Sequence, residues 1–353
     1  MCDFFTSTVS KMNTLTRRSF LGAAATLAAA TACSAPPAPT GGSFGTLVYQ
    51  LGWIRNVQFA GEYMADRGGH FAAGGFDAVD LVPGGPNVSP NTVVVSGRAL
   101  LTLSGCDVTG PAILQGAPLV ALGAVRQTNP LCIMSLSSAP IREPRDLIGR
   151  RIGLQATNET TWRAFLQVNG IDPAQVPTVP AQFDPQPLAA GEVDGWFSFY
   201  ANEPNSLRVR GYDVTTMLLA DHGFPLVSDI IVARRDSLTT DRAAVAAAVR
   251  AEIQGWQDAL RDRDAATTLT VDEYGRDLGL DRTEQRRALD DHATLILTED
   301  TRANGLFTIS DELRDRSIES LRRGGIAIAA DQLFDMSVLD EVYAADPALR
   351  TAA

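Results

Sequence analysis

Lysine is all but missing from this chain: Lys11 is the only one among 353 residues, so nearly every positive side chain is an arginine. That scarcity excludes a lysine Schiff base to pyridoxal phosphate in any mature form lacking the first residues, and no phosphate loop of the G-x-x-x-x-G-K-[ST] type exists. Histidine is scarce too, with three in all, His70, His222 and His292, none having a second histidine, cysteine or carboxylate at metal-ligand spacing. His70 and His292 read as ordinary structural residues, His292 on an exposed helix. Of the four cysteines, Cys2 and Cys33 fall in the N-terminal leader, while Cys106 and Cys132 sit in apolar strand-like contexts where a buried free thiol is the commoner state. Positive charge is in deficit: removing residues 1–32 leaves 27 basic against 40 acidic residues, a net charge of −13, which argues against binding to a phosphate backbone. The one apolar run in the leader, Gly22 to Ala30, is mostly alanine and too short for a permanent membrane helix.

What is present begins with that leader. Arg17-Arg18 followed by Ser19-Phe20-Leu21 resembles a twin-arginine export signal, and Cys33 after small residues resembles a lipid attachment site. Residues 1–32 are therefore expected to be an export signal. Residues 33–45 are expected to be a lipid anchor and a flexible tether, because a Pro/Gly/Ser-rich stretch cannot pack a core. The expected location is the outer face of the cytoplasmic membrane.

The remaining length, about 300 residues, suits two lobes. Leu47, Val48, Tyr49 and Leu51 predict a strand broken by Gly52, with Trp53, Asn56 and Phe59 brought to the start of a helix. Strands follow at Ala78–Val82, Leu100–Leu103, Pro118–Val125 and Leu131–Leu136. Ser89-Pro90 reads as an N-cap and first helical residue, and Gly110–Gln115 as a short helix. This βαβ alternation predicts a parallel or mostly parallel sheet. A second unit repeats the plan, with strands at Arg151–Leu154, near Thr178 and at Trp196–Phe199, then Val214–Leu219 and Ile230–Ala233. From Asp241 the chain is helical: Val245, Val249, Ile253, Trp256 and Leu260 recur at steps of three or four on one apolar face.

In open α/β sheets ligands sit beyond the carboxyl ends of strands, and polar clusters recur there. They are Trp53 and Asn56 with Phe59, then Ser104 and Asp107, then Thr157 and Asn158, then Tyr200, Asn202 and Glu203. His222 lies where the chain crosses back to the first unit. Rings stack on flat heterocycles, an amide both donates and accepts, and a carboxylate accepts two donors, so this set suits a flat, nitrogen-rich molecule. Trp162 and Trp196 offer further rings, with core packing as the competing use.

With those residues placed, the chain resembles the substrate-binding proteins of ABC transporters in the sulfonate-binding (SsuA) and NMT/THI-like family. The motifs are Trp53-Ile54-Arg55-Asn56 with Ala60-Gly61, Pro83-Gly84-Gly85-Pro86 with Val88-Ser89-Pro90, Gly191-Glu192-Val193-Asp194, and Asn202-Glu203-Pro204. Arg55 stands where the family commonly has proline, and Leu100 where an acid is common. The resemblance implies a type II periplasmic-binding-protein fold of two α/β lobes with a hinge plus C-terminal helices. Lobe 1 is placed at 46–135 with 228–353, and lobe 2 at 136–227. It further implies a non-enzymatic monomer without cofactor or metal. Such a protein would capture a thiamine pyrimidine precursor, hydroxymethyl- or formyl-aminopyrimidine, or alternatively riboflavin, and pass it to an ABC permease. A third implied reading is a thiamine pyrimidine synthase that consumes its own histidine and pyridoxal phosphate; the cysteine-rich iron motif of that branch is missing here.

Overall fold

Ten strands form two separate five-stranded sheets in the computed structural model, which describes residues 43–351. The leader features, Arg17, Arg18 and Cys33, lie outside the described residues. The strands are β1 Thr46–Gln50, β2 Ala78–Val82, β3 Leu101–Ser104, β4 Leu119–Arg126, β5 Leu131–Leu136, β6 Ile152–Leu154, β7 Thr178–Pro180, β8 Gly195–Phe199, β9 Val214–Leu218 and β10 Ser228–Arg234. The first sheet runs β2-β1-β3-β10-β4 and the second β7-β6-β8-β5-β9. Both are mixed rather than mostly parallel. The βαβ part of each is parallel, but β10 lies antiparallel to β3 and β4, and β5 lies antiparallel to β8 and β9. The strand that enters each sheet after a crossing is the reversed one, a direction that hydrophobic periodicity does not encode.

One expected lobe boundary shifts. All of β5 pairs within the second sheet, so the first crossing falls at residues 127–130 and not after Ser135. The C-terminal helices do not belong to the first lobe alone. Helix Asp311–Arg323 packs on the second-lobe helix Glu159–Val168, and its Ser317 and Ser320 hydroxyls bond Val227 N (3.2 Å) and Pro225 O (3.0 Å). Helix Arg282–Ile296 packs on Glu203–Val209, where Asn205 Nδ2 donates to Asp291 at 2.7 Å.

The long helix Arg242–Arg261 buries its Val245, Val249, Ile253, Trp256 and Leu260 face, as its spacing dictates. It meets helix Ala60–Arg67 so closely that a β-carbon on Gly255 would stand 2.1 Å from Gly61 O; glycine there lets the backbones touch. Trp162, Trp196 and Trp256 are all core residues. Cys106 and Cys132 are free and buried, and burial pushes both thiols well above their ordinary range.

Candidate functional site

The carboxyl end of β1 is where the site begins. Gln50 ends the strand, and the turn carrying Trp53 is clasped by the proline-glycine loop 83–90. Gly84 N donates to Trp53 O at 2.9 Å, and a β-carbon on Gly84 would fall 2.6 Å from Leu51 O. A residue with a side chain could not approach so closely, and the indole would lose its seat. Trp53, half-buried, lines a cleft of about 320 Å³ between the two sheets.

Six more of the expected residues line the same cleft: Ser104, Asp107, Thr157, Asn158, Asn202 and Glu203. Asp107 lies in the first turn of helix Cys106–Leu114, and Thr161 Oγ1 donates to its carboxylate across the cleft. Burial raises the Asp107 carboxyl from its ordinary range, and the Thr161 bond offsets part of that rise. Glu203 opens helix Glu203–Val209 and accepts from Phe199 N at 2.9 Å; burial lifts its carboxyl to about 7. Asn202 precedes that helix without capping it. Its side chain instead spans the cleft, donating from Nδ2 to Gln58 Oε1 at 3.0 Å.

A second cavity of about 410 Å³ shares Trp53, Asn202 and Glu203 with the first and continues toward Phe183, Glu284 and Leu278. Asn56 faces this second space only, and its side chain is engaged as a cap, accepting from Gln58 N at 3.0 Å. Burial also lifts Glu284 to about 7.

Three expected residues are not brought to these cavities. Phe59 is wholly enclosed in the core beneath the first sheet, because it starts the helix whose inner face packs there. Tyr200 and His222 line neither cavity. Tyr200 is turned at the end of β8, where its backbone N bonds Pro130 O, and His222 sits in a short 3-10 turn whose carbonyl accepts from Asn169. His292 is not exposed but fully buried, its Nδ1 accepting from Arg126 Nε at 3.1 Å; burial and the adjacent guanidinium hold it neutral, so the proton sits on Nε2.

That histidine belongs to a network missed in the sequence. Arg126, at the end of β4, is fully buried and makes an ion pair with Asp229, donates to Gln58 O at 2.8 Å, and lies over the Phe199 and Trp256 rings at 5.5 and 5.6 Å. Behind it lie Glu62 and Glu252, the latter accepting from Tyr49 at 3.0 Å. Burial lifts Glu62 to about 7 and Glu252 well above its usual range, with repulsion from Glu62 adding to the second. Asp229 and Gln58 both line the cleft. One signal was available: Arg126 and Gln127 interrupt an apolar strand, and a charge at the end of a buried strand needs a partner.

The NMT1/THI5-like family model matches residues 56–266. The riboflavin-binding protein RibY of Chloroflexus aurantiacus is 27% identical over 325 residues, covering 85% of this chain and 90% of its own. Among solved structures, a Bordetella bronchiseptica protein superposes with a TM-score of 0.68 at 13% identity, covering 86% of this chain and 98% of its own. The periplasmic aliphatic sulphonate binding protein SsuA of Escherichia coli superposes with a TM-score of 0.59 at 15% identity, covering 83% and 91%. At such identities the superpositions speak for the fold, two mixed α/β sheets of the periplasmic-binding-protein type. With well over half of its length matched by the family model, the chain belongs to the NMT1/THI5-like family.

Proposed function

We propose that the chain is the extracytoplasmic substrate-binding protein of an ABC importer, closing two lobes on a flat nitrogen heterocycle and presenting it to a permease. The observation that carries this reading is the cleft itself. An indole seated by the Gly84 loop shares the cleft with polar side chains from the opposite sheet, and two of these, Asn202 and Glu203, are buried there. The lobes act as hinged bodies about the crossings at residues 127–130 and 219–227. The leader, with Arg17, Arg18 and Cys33, supports export and lipid anchoring. No step of this role requires an enzyme's chemistry, and a monomer suffices.

Riboflavin is the favoured ligand. The similarity to RibY supports it, and so does the shape: two neighbouring spaces that share Trp53, Asn202 and Glu203 in their walls leave room for a ring system with a polar chain. An aminopyrimidine precursor of thiamine is the second reading, favoured by the buried Glu203 carboxyl and by the modest size of the first space. Calorimetric titration of the purified chain with riboflavin, hydroxymethyl-aminopyrimidine and its formyl relative decides between them. Saturable heat from riboflavin alone supports the first, heat from the pyrimidines alone the second, and heat from none overturns the binding role.

A further inference from the structure

Asp229 stands at the start of β10 with φ at +45°, one of two described non-glycine residues in the left-handed region. Aspartate tolerates that region better than most residues, yet such strain persists only where the surroundings enforce it. Here they do. The Asp229 Oδ2 atom pairs with the fully buried Arg126 guanidinium and accepts from Gln58 Nε2 at 2.9 Å. Its Oδ1 atom has no partner among the described residues, and the side chain lines the cleft.

The charge on Asp229 has a consequence two residues away. A carboxylate held by arginine only accepts, so the Gln58 amide must turn its NH2 toward it. The Gln58 Oε1 atom then faces Asn202, which must turn its own NH2 to meet it, at 3.0 Å. The remaining atom, Asn202 Oδ1, is left without a donor in a residue only 8% exposed, on the wall shared by both cavities. Each amide orientation is thus dictated by the one before it, starting from a buried positive charge. A buried acceptor with no donor costs about 1–3 kcal/mol. Asn202 Oδ1 has almost no surface open to the cleft in this arrangement, and a ligand relieves that cost where movement of the hinged lobes opens the atom to it, whereas Asp229 Oδ1 already lies on the cleft.

We propose that Asp229 and Asn202 form an acceptor subsite, its polarity set through Gln58 by Arg126, that selects heterocycles presenting N–H donors on the edge facing it. The assignment rests on the reading that this cleft takes a flat heterocycle. It adds which edge of the ligand is read and by which atoms. A ring whose edge nitrogens carry methyl groups fills the same space but leaves Asn202 Oδ1 unpaired and brings a methyl against Asp229.

The test titrates the wild-type chain with riboflavin and N3-methylriboflavin, and with hydroxymethyl-aminopyrimidine and its N,N-dimethylamino analogue. The expected result is that the parent of the binding pair is held about tenfold to a hundredfold more tightly than its methylated form. In Gln58→Leu, which cuts the relay while sparing Asp229 and Asn202, the preference should shrink toward unity with the melting temperature recorded alongside. Equal binding of parent and methylated ligands by the wild-type chain overturns this assignment and leaves the binding role standing. Binding by none of the four overturns both. A preference unchanged in a folded Gln58→Leu variant overturns the relay.

Discussion

The two walls of the cleft are built in different ways. Behind the first-sheet wall lie Arg126, Glu62, Glu252, Tyr49 and His292, a buried polar network that, together with Asp229 on the wall itself, holds Gln58 at the cleft through two hydrogen bonds, one from Arg126 to its carbonyl and one from its amide to Asp229. Behind the second-sheet wall lie Met134, Leu188, Trp196 and Leu207, an apolar cluster, and the polar groups appear only at strand ends, as Gln155 to Thr161 and Asn202-Glu203. A network of charges holds its members to one arrangement, because each displaced partner leaves a buried group unpaired. An apolar core tolerates a rigid shift of the whole lobe. The difference suggests a division of labour in which the first wall is set in advance and the second is brought to it.

The variant expected to have the largest effect breaks the first wall. Arg126→Met leaves Asp229 unpaired beside Glu62 and Glu252, and the cost is about 3–5 kcal/mol, read from urea unfolding. A loss under about 1 kcal/mol would mean that the network does not organise its wall.

Next in size is a dependence on pH in which both walls take part. Glu62 and Glu203 titrate at about 7 in the folded chain, against an ordinary value of 4.5. The folded state therefore holds more protons than the unfolded one between those values, and stability falls as pH rises through that window. Glu203→Gln should remove that residue's share, up to about 3 kcal/mol, and flatten the curve without abolishing it because Glu62 and Glu284 remain. A curve unchanged in that variant would place the titration elsewhere.

Trp53→Ala tests the ring itself and should weaken ligand binding by about 1 kcal/mol or more, with little change in melting, since the indole is only half-buried. The smallest expected effect is that of Asn205→Ala, which removes a partly buried contact to Asp291 between the second lobe and helix Arg282–Ile296. It should cost about 1 kcal/mol, and scattering should show a more open mean shape without ligand. No change in that shape would mean the C-terminal helices do not restrain the lobes.

How much of this was legible depended on whether the signal was local. Strands Ala78–Val82 and Leu131–Leu136 stand at the residues read from the sequence, because short apolar runs bounded by turn formers mark them. Ser89-Pro90 does open its helix, although the Ser89 hydroxyl makes no capping bond. Helix Cys106–Leu114 starts four residues before the expected Gly110, since Pro111 reads as an opener but lies inside the helix. Strand direction was not legible, because a period of two looks the same either way. The cleft residues found early are those at strand ends, where chain position alone implies a site. Gln58 was within reach, as part of the Gln58-Phe59-Ala60-Gly61 segment that could suit a flavin, but Arg126 and Asp229 escaped because they lie 103 positions apart and only the fold brings them together. His292 was misread for the same reason: its helix is rich in arginine and aspartate, and the partner that buries it is on another strand.

On the proposed function, the cleft between these walls binds a flat heterocycle against Trp53. Its most direct measurement is the fluorescence of riboflavin as the full chain is added. Stacking on the indole should quench the flavin to a plateau at one ligand per chain, and Trp53→Ala should lose most of that quenching. Undiminished flavin fluorescence at every concentration of the folded wild-type chain, with the aminopyrimidines also failing to bind, would contradict it.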